Sequence, residues 1–400
     1  MWVTPAFGDE KCSFTTSPAE PLEPLATFAP RSARAIHLQR LPFRCFGWHR
    51  EERHGNRAVE DGKRFPVRCQ SWVGSAGRRW GLAAILWRES MSAGMATDMA
   101  PTTFVFILGT GRCGSSLLHE ILAQHEDVGF LSNIEDLTAG PPAVGRWNGP
   151  LFRRLPPAFS RKGRVRFAPS EGYRILDRRV SPAISAPARD LTSADATPWL
   201  GGRFRRFFEE RARVQSSPAF IHKFTGWPRA GFISAVFPEA RFVHVVRDGR
   251  AVANSLLQMP WWKGYRGPEG WGWGPLPEEY EGKWKASRRS FPVLAGLEWR
   301  LLMDAYEEAK AAVRQDSWMD VRYEDLIRDP LATTKQIIDF MGSPWTASFE
   351  GRFRRYHLDS GRTEAFRDDL KPGDVERIED VLGGVLERWG YSGTSVRKRV

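Results

Sequence analysis

The apolar run TTFVFIL at residues 102–108 passes directly into GTGRCGSSL at 109–117 and then LLHEILAQH, and this succession constrains the fold more than any other stretch. Five consecutive apolar residues, Phe104 to Leu108, suit a strand buried on both faces. From Ser115 to Gln124, the residues Leu117, Leu118, Ile121 and Leu122 recur on one helical face. Glycines between such a strand and such a helix let successive N–H groups turn inward, and the helix adds its positive end. The turn is therefore a cradle for an anion. Against the nucleotide-binding pattern G-x-x-x-x-G-K-S/T, Gly109 and Gly114 fall in place but Ser115 stands where the lysine belongs. The cation of this loop is Arg112, inside it.

From Thr102 onward strands and helices alternate. VGFLS (128–132), AFIHKFT (219–225), RFVHVVR (241–247) and MDVRY (319–323) read as further strands. GRAVANSLLQM, residues 291–314, EDLIRDPLATTKQIIDFMG and VERIEDVLGGVLERWG read as helices. The expected class is α/β, a parallel sheet with helices on both faces and a P-loop-like nucleotide site at the carboxyl ends of the strands. Two Pro- and Gly-rich stretches, 139–215 and 259–290, interrupt the pattern and read as lid-like insertions, the first with a short helix at RFRRFFEERARV. The second holds Trp261, Trp262, Trp271, Trp273 and Trp284, which either cover the sheet edge or stack on a substrate. Residues 1–98 lack a sustained period and are expected to be disordered or a non-native extension, leaving one domain over 99–395.

The net charge of +12 implies an anionic partner. Between Arg146 and Arg229 eighteen Lys/Arg face six Asp/Glu, so this stretch alone carries the whole excess. Cys12, Cys45, Cys69 and Cys113 show neither disulfide nor zinc spacing, and no metal is expected. No apolar stretch reaches the ~20 residues of a membrane helix, and no secretory leader is legible, so a cytoplasmic location is expected.

A second anion site is readable at RFVHVVRDGRAVANSLL, where Arg247 ends an apolar strand and Ser255 follows eight residues later on a helix. A guanidinium fork and a hydroxyl together suit a phosphate; the plainer alternative is a surface pair of Arg247 with Asp248. With YEDLIRDP (323–330), the two sites resemble the PAPS-dependent sulfotransferase family, in its bacterial and tyrosylprotein-type branch, over about residues 102–391. The resemblance implies a 5′-phosphate site at Thr110, Gly111, Arg112, Cys113, Gly114, Ser115 and Ser116. It implies a 3′-phosphate site at Arg247 and Ser255, and an adenine neighbour at Tyr323. It further implies in-line sulfuryl transfer from PAPS to a hydroxyl or amine of a carbohydrate, lipid or other small molecule. In that scheme Arg112 and Lys223 stabilise developing charge.

The general base departs from the family pattern. The tyrosylprotein-type glutamate aligns with Asn133, and SNIEDL offers Glu135 two residues later, with Asp136 beside it and Glu171 of APSEGY in reserve. His222 does not occupy the family's histidine position, to which Thr225 stands nearer. A P-loop kinase or NTPase is the nearest rival, disfavoured by the missing loop lysine. A basic nucleic-acid-binding protein is a second, but no reader motif is present and no nucleic-acid partner is expected.

Overall fold

The computed structural model describes residues 102–154, 167–358 and 362–391. The expectation for residues 1–98 lies outside the described residues. Five strands, β1 (Thr103–Gly109), β2 (Val128–Phe130), β3 (Ala219–Thr225), β4 (Arg241–Val246) and β5 (Trp318–Arg322), form one sheet in the order β2-β3-β1-β4-β5. Every adjacent pair is parallel. The chain leaves β1 toward the β2–β3 side, then crosses back to β4 and β5. Strand order therefore reverses at β1, the place where ligands of open α/β sheets bind.

Alternation along the strands divides the core in two. Phe106 and Leu108 of β1, Phe220 and Phe224 of β3 and Phe242 of β4 join Phe204 and Phe208 of helix α3 (Pro198–Gln215) on one face. Val105, Ile107, Ile221, Val243 and Val245 join Leu118 and Ile121 of α1 (Ser115–Leu122) on the other. Helix α2 (Asn133–Thr138) follows β2, while α4 (Gly249–Leu257) and α5 (Phe291–Ala311) form a third cluster with Trp262, Trp271 and Trp299.

Two helices read as continuous are broken. The run at 324–342 divides into Tyr323–Arg328 and α6 (Pro330–Met341), because Pro330 has no N–H with which to continue the first segment. The last one divides at Gly383, whose φ of 48° ends one helix before the next begins. The helix expected near RFRRFFEERARV is longer, 18 residues, and is started by Thr197, whose side chain accepts from Leu200 N–H. Among the described residues no helix is long and apolar enough to cross a membrane.

The turn after β1 is held open by conformation and close packing. Gly111, Arg112 and Gly114 have φ of 87°, 55° and 93°, and a Cβ on Gly114 would lie 2.3 Å from Tyr323 Cδ2. A Cβ on Gly111 would meet nothing within 4 Å. Gly114→Ala is therefore expected to cost about 1–3 kcal/mol in urea unfolding, and Gly111→Ala about 1 kcal/mol from backbone strain alone. Equal losses from the two would show that the contact with Tyr323 does not constrain the loop.

Candidate active site

The reversal at β1 opens a cleft of about 790 Å³ at the carboxyl edge of the sheet, lined by the loop after β1, the ends of β3 and β4, and the tryptophans of the second insertion. Two groups of side chains meet there.

The first group surrounds Arg247. Its Nη1 donates to the Arg112 carbonyl at 3.0 Å and its Nη2 to the Arg362 carbonyl at 3.0 Å. The guanidinium lies 4.6 Å above the Tyr323 ring, a cation–π contact. Asp248 is not its partner. That carboxylate caps α4 by accepting from Arg250 N–H and pairs with the Arg250 guanidinium at 2.7 Å, leaving Arg247 to the loop. Arg112 Nε in turn donates to Ser255 Oγ at 2.9 Å. Arg112, Arg247, Ser255 and Tyr323, read from three separate motifs, thus come together. Partial burial, and then the neighbouring Arg247, lower the pKa of Arg112. Two guanidinium groups this close favour an anion between or beside them.

The second group surrounds Lys223, which β3 carries on the same face as Ile221 and Thr225. Its Nζ donates to Ser116 Oγ at 2.6 Å and forms an ion pair with Glu171. Thr225 Oγ1 donates to Glu171 at 3.3 Å and shares a 2.8 Å hydrogen bond with the Tyr173 hydroxyl. Burial pushes the Glu171 carboxyl up, but the Lys223 ammonium and the surrounding hydrogen bonds outweigh it and hold the group below the usual carboxylate range. Glu171 reaches this place through an antiparallel bridge of Ser132 with Pro169, reinforced by Ser170 N–H donating to the Leu131 carbonyl at 2.8 Å.

Other expected site residues stand elsewhere. Glu135 does not line the cleft: it is wholly buried as the third residue of α2, in a reciprocal capping box with Ser132, hydrogen-bonded by Asn148 and 3.5 Å from Arg211. Asp136 accepts from Ile175 N–H at 3.0 Å. The Cys113 side chain is buried and packs against Gly109. Thr110, Gly111, Gly114, Ser115 and Ser116 line the cleft. His222 points to the opposite face, among Phe208 and Phe224. Burial, then Lys223, Arg229 and Arg211, hold it down at about 3, so it is neutral.

Two cleft residues were not anticipated. Arg229 is buried and stitches the end of β3 to the first insertion, donating to the carbonyls of Ile184 at 2.7 Å and Ser185 at 3.2 Å. Glu298 of α5 is 2% exposed and receives the indole N–H of Trp262 at 2.8 Å and that of Trp273. Its signal was in the sequence: Glu298 lies one turn from Leu294 and from Leu302, a carboxyl on an otherwise apolar stripe.

The sequence profile of the Sulfotransferase family matches residues 105–347. The chain belongs to the sulfotransferase family. Among curated sulfotransferases it is 22% identical over 316 residues to the omega-hydroxy-beta-dihydromenaquinone-9 sulfotransferase Stf3 of Mycobacterium bovis, covering 72% of this chain and 75% of that one. The Mycobacterium tuberculosis Stf3 gives the same figures. Among solved structures, sulfotransferase STF9 from Mycobacterium avium aligns with a TM-score of 0.47 at 16% identity, over 78% of this chain and 81% of that one. Sulfotransferase STF1 from Mycobacterium tuberculosis aligns at 0.45 and 17%, over 76% and 81%.

Burial raises Glu298 to about 7, with the two indole hydrogen bonds opposing the rise. A raised carboxyl favours the neutral form in the fold, so its penalty is absent at acidic pH and grows as pH climbs from the unfolded value through 7. Glu298→Gln removes that titration. The variant is expected to gain on the wild type by about 2 kcal/mol more at pH 8 than at pH 5, read from urea melts. A difference that does not change with pH would show that Glu298 is ionised at little cost.

Proposed function

We propose that this sulfotransferase moves the sulfuryl group of PAPS to a hydroxyl of a small, lipid-like acceptor. The observation that carries the reading is the convergence, in one cleft, of Arg112, Arg247 and Ser255 with the group formed by Lys223, Ser116 and Glu171. The residues fit such a nucleotide. Three positive-φ residues within four positions turn loop amides inward, and Arg247 Nε is buried without a hydrogen-bond partner among the described residues. A lipid-like acceptor is supported by the activity for which the Mycobacterium relatives are named and by the tryptophan-lined half of the cleft.

In this reading Arg112, the loop amides and Ser115 hold the 5′-phosphate, while Arg247 and Ser255 hold the 3′-phosphate and Tyr323 lies against the base. PAPS, when bound, supplies a sulfuryl group whose bond to the 5′-phosphate oxygen breaks as the bond to the acceptor oxygen forms. Arg112 and Lys223 stabilise the charge that collects on the leaving oxygen, with the geometry fixed before the reaction by Ser116 and the loop. Glu171 takes the acceptor proton. A carboxylate held down by Lys223 is a weak base, yet a hydroxyl loses its proton readily once its oxygen is bonding to sulfur. Glu171 therefore orients the acceptor and receives the proton late.

At saturating adenosine 3′,5′-bisphosphate, about 100 times its Kd, the wild type is expected to melt roughly 5–10 °C higher, and Arg247→Ala to lose most of that shift. Failure of the wild type to shift would overturn the nucleotide reading. With PAPS and an ω-hydroxylated menaquinone, Glu171→Gln is expected to lower kcat about 10²- to 10⁴-fold while keeping the bisphosphate shift. An unchanged kcat would move the base elsewhere.

A further inference from the structure

The second insertion and the first residue of α5 expose aromatic side chains. Trp261 and Tyr265 are each 57% exposed and Phe291 is 47% exposed. One buried residue, Trp262, links them: Trp261 adjoins it in the chain, and Tyr265 follows Gly264, which packs on it. The Trp262 ring lies 6.4 Å from the Phe291 ring, and Gly264 packs so closely that a Cβ there would fall 2.0 Å from Trp262 Cζ2. Trp261, Trp262 and Lys263 also line the cleft, so this patch stands at its mouth. Exposed apolar groups scattered singly need no explanation, whereas three linked through one buried residue mark a contact surface.

The unpaired charges beside the patch are mainly positive. Lys263, Arg288 and Arg289 are exposed and form no ion pair with a described residue, and Arg266 donates only to the Tyr265 hydroxyl at 3.1 Å. Of the nearby acids, Glu279 and Glu281 are spent on Lys283 and Lys285. Glu269 and Glu278 remain, and Glu278 lies in the first turn of its helix, where a negative charge is locally favoured. Arg288 and Arg289 both hold the left-handed conformation, with φ of 57° and 58°. Glycine or asparagine suits that conformation, and two successive arginines adopt it only against steric resistance. Aromatic residues with one polar end, rimmed by unpaired cations, are the composition that enters the interface of an anionic bilayer.

We infer that the aromatic and basic face of residues 261–291 docks on an anionic membrane surface, bringing the mouth of the cleft against the lipid so that the acceptor enters from the leaflet. The entry route rests on the acceptor reading above; the docking itself does not. The test is co-sedimentation of the full chain with vesicles of phosphatidylglycerol and phosphatidylcholine, with pure phosphatidylcholine vesicles, and with the mixed vesicles in the presence of soluble polyphosphate. The wild type is expected to sediment with the mixed vesicles, both with and without polyphosphate, and not with pure phosphatidylcholine. Tyr265→Ala/Phe291→Ala and Arg288→Gln/Arg289→Gln are each expected to weaken binding at least about fivefold while keeping the thermal shift with adenosine 3′,5′-bisphosphate. No sedimentation, sedimentation unchanged by the aromatic pair, or complete displacement by polyphosphate would each overturn the inference. The bisphosphate shift is read separately, so a failed nucleotide site and a failed docking face give different results.

Discussion

The hydrogen bond from Arg247 to the Arg112 carbonyl joins the end of β4 to the loop that follows β1. The sheet makes it possible, because β1 and β4 are neighbours whose parallel register places Leu108 beside His244 and brings both strand ends to one edge. The pairing of Asp248 with Arg250 leaves the Arg247 fork unclaimed by its own neighbour. Tyr323 then braces both partners, packing on Gly114 and under the guanidinium. This arrangement is thus a joint property of three strand ends.

Beside it, the cluster of Lys223, Ser116 and Glu171 has a different logic. A lysine and a carboxylate that share a half-buried cleft each make the other's charge tolerable. Ser116 fixes where the ammonium points. Tyr173 and Thr225 fix the carboxylate from the other side. Arg229, with its donors bound to carbonyls of the first insertion, ties that insertion to the strand bearing Lys223. The insertion is therefore part of the site, as the wall that supplies its acid group.

The parts of this site legible in the sequence were those encoded locally. An uninterrupted apolar run announced β1, since a parallel strand covered on both faces has no polar alternation to show; the other strands were read from shorter apolar stretches that carry polar residues, such as AFIHKFT and MDVRY. The positions of Arg112, Arg247 and Ser255 followed from a strand end, a glycine turn and a helix. Glu171 held only a reserve place, because its position depends on the bridge between Ser132 and Pro169, a pairing across an insertion that no local pattern records. Glu135 looked better placed by count from the loop. It instead closes the N-terminus of α2, a use of Ser-x-x-Glu that was itself readable in SNIE. Glu298 was visible as a carboxyl on an apolar stripe, but its indole partners come from a loop whose path the sequence does not specify.

The register of β1 on β3 pairs Thr103 with Ala219, and that of β4 on β5 pairs Phe242 with Trp318. Each pairing closes a long stretch of chain before any contact rewards it, and Arg112 and Ser255 meet across a sequence separation of 143. High contact order of this kind slows folding and leaves little of the cleft in any partly folded species. Ligand affinity in this protein should therefore appear late in refolding and all at once, as a report that the central strands have docked.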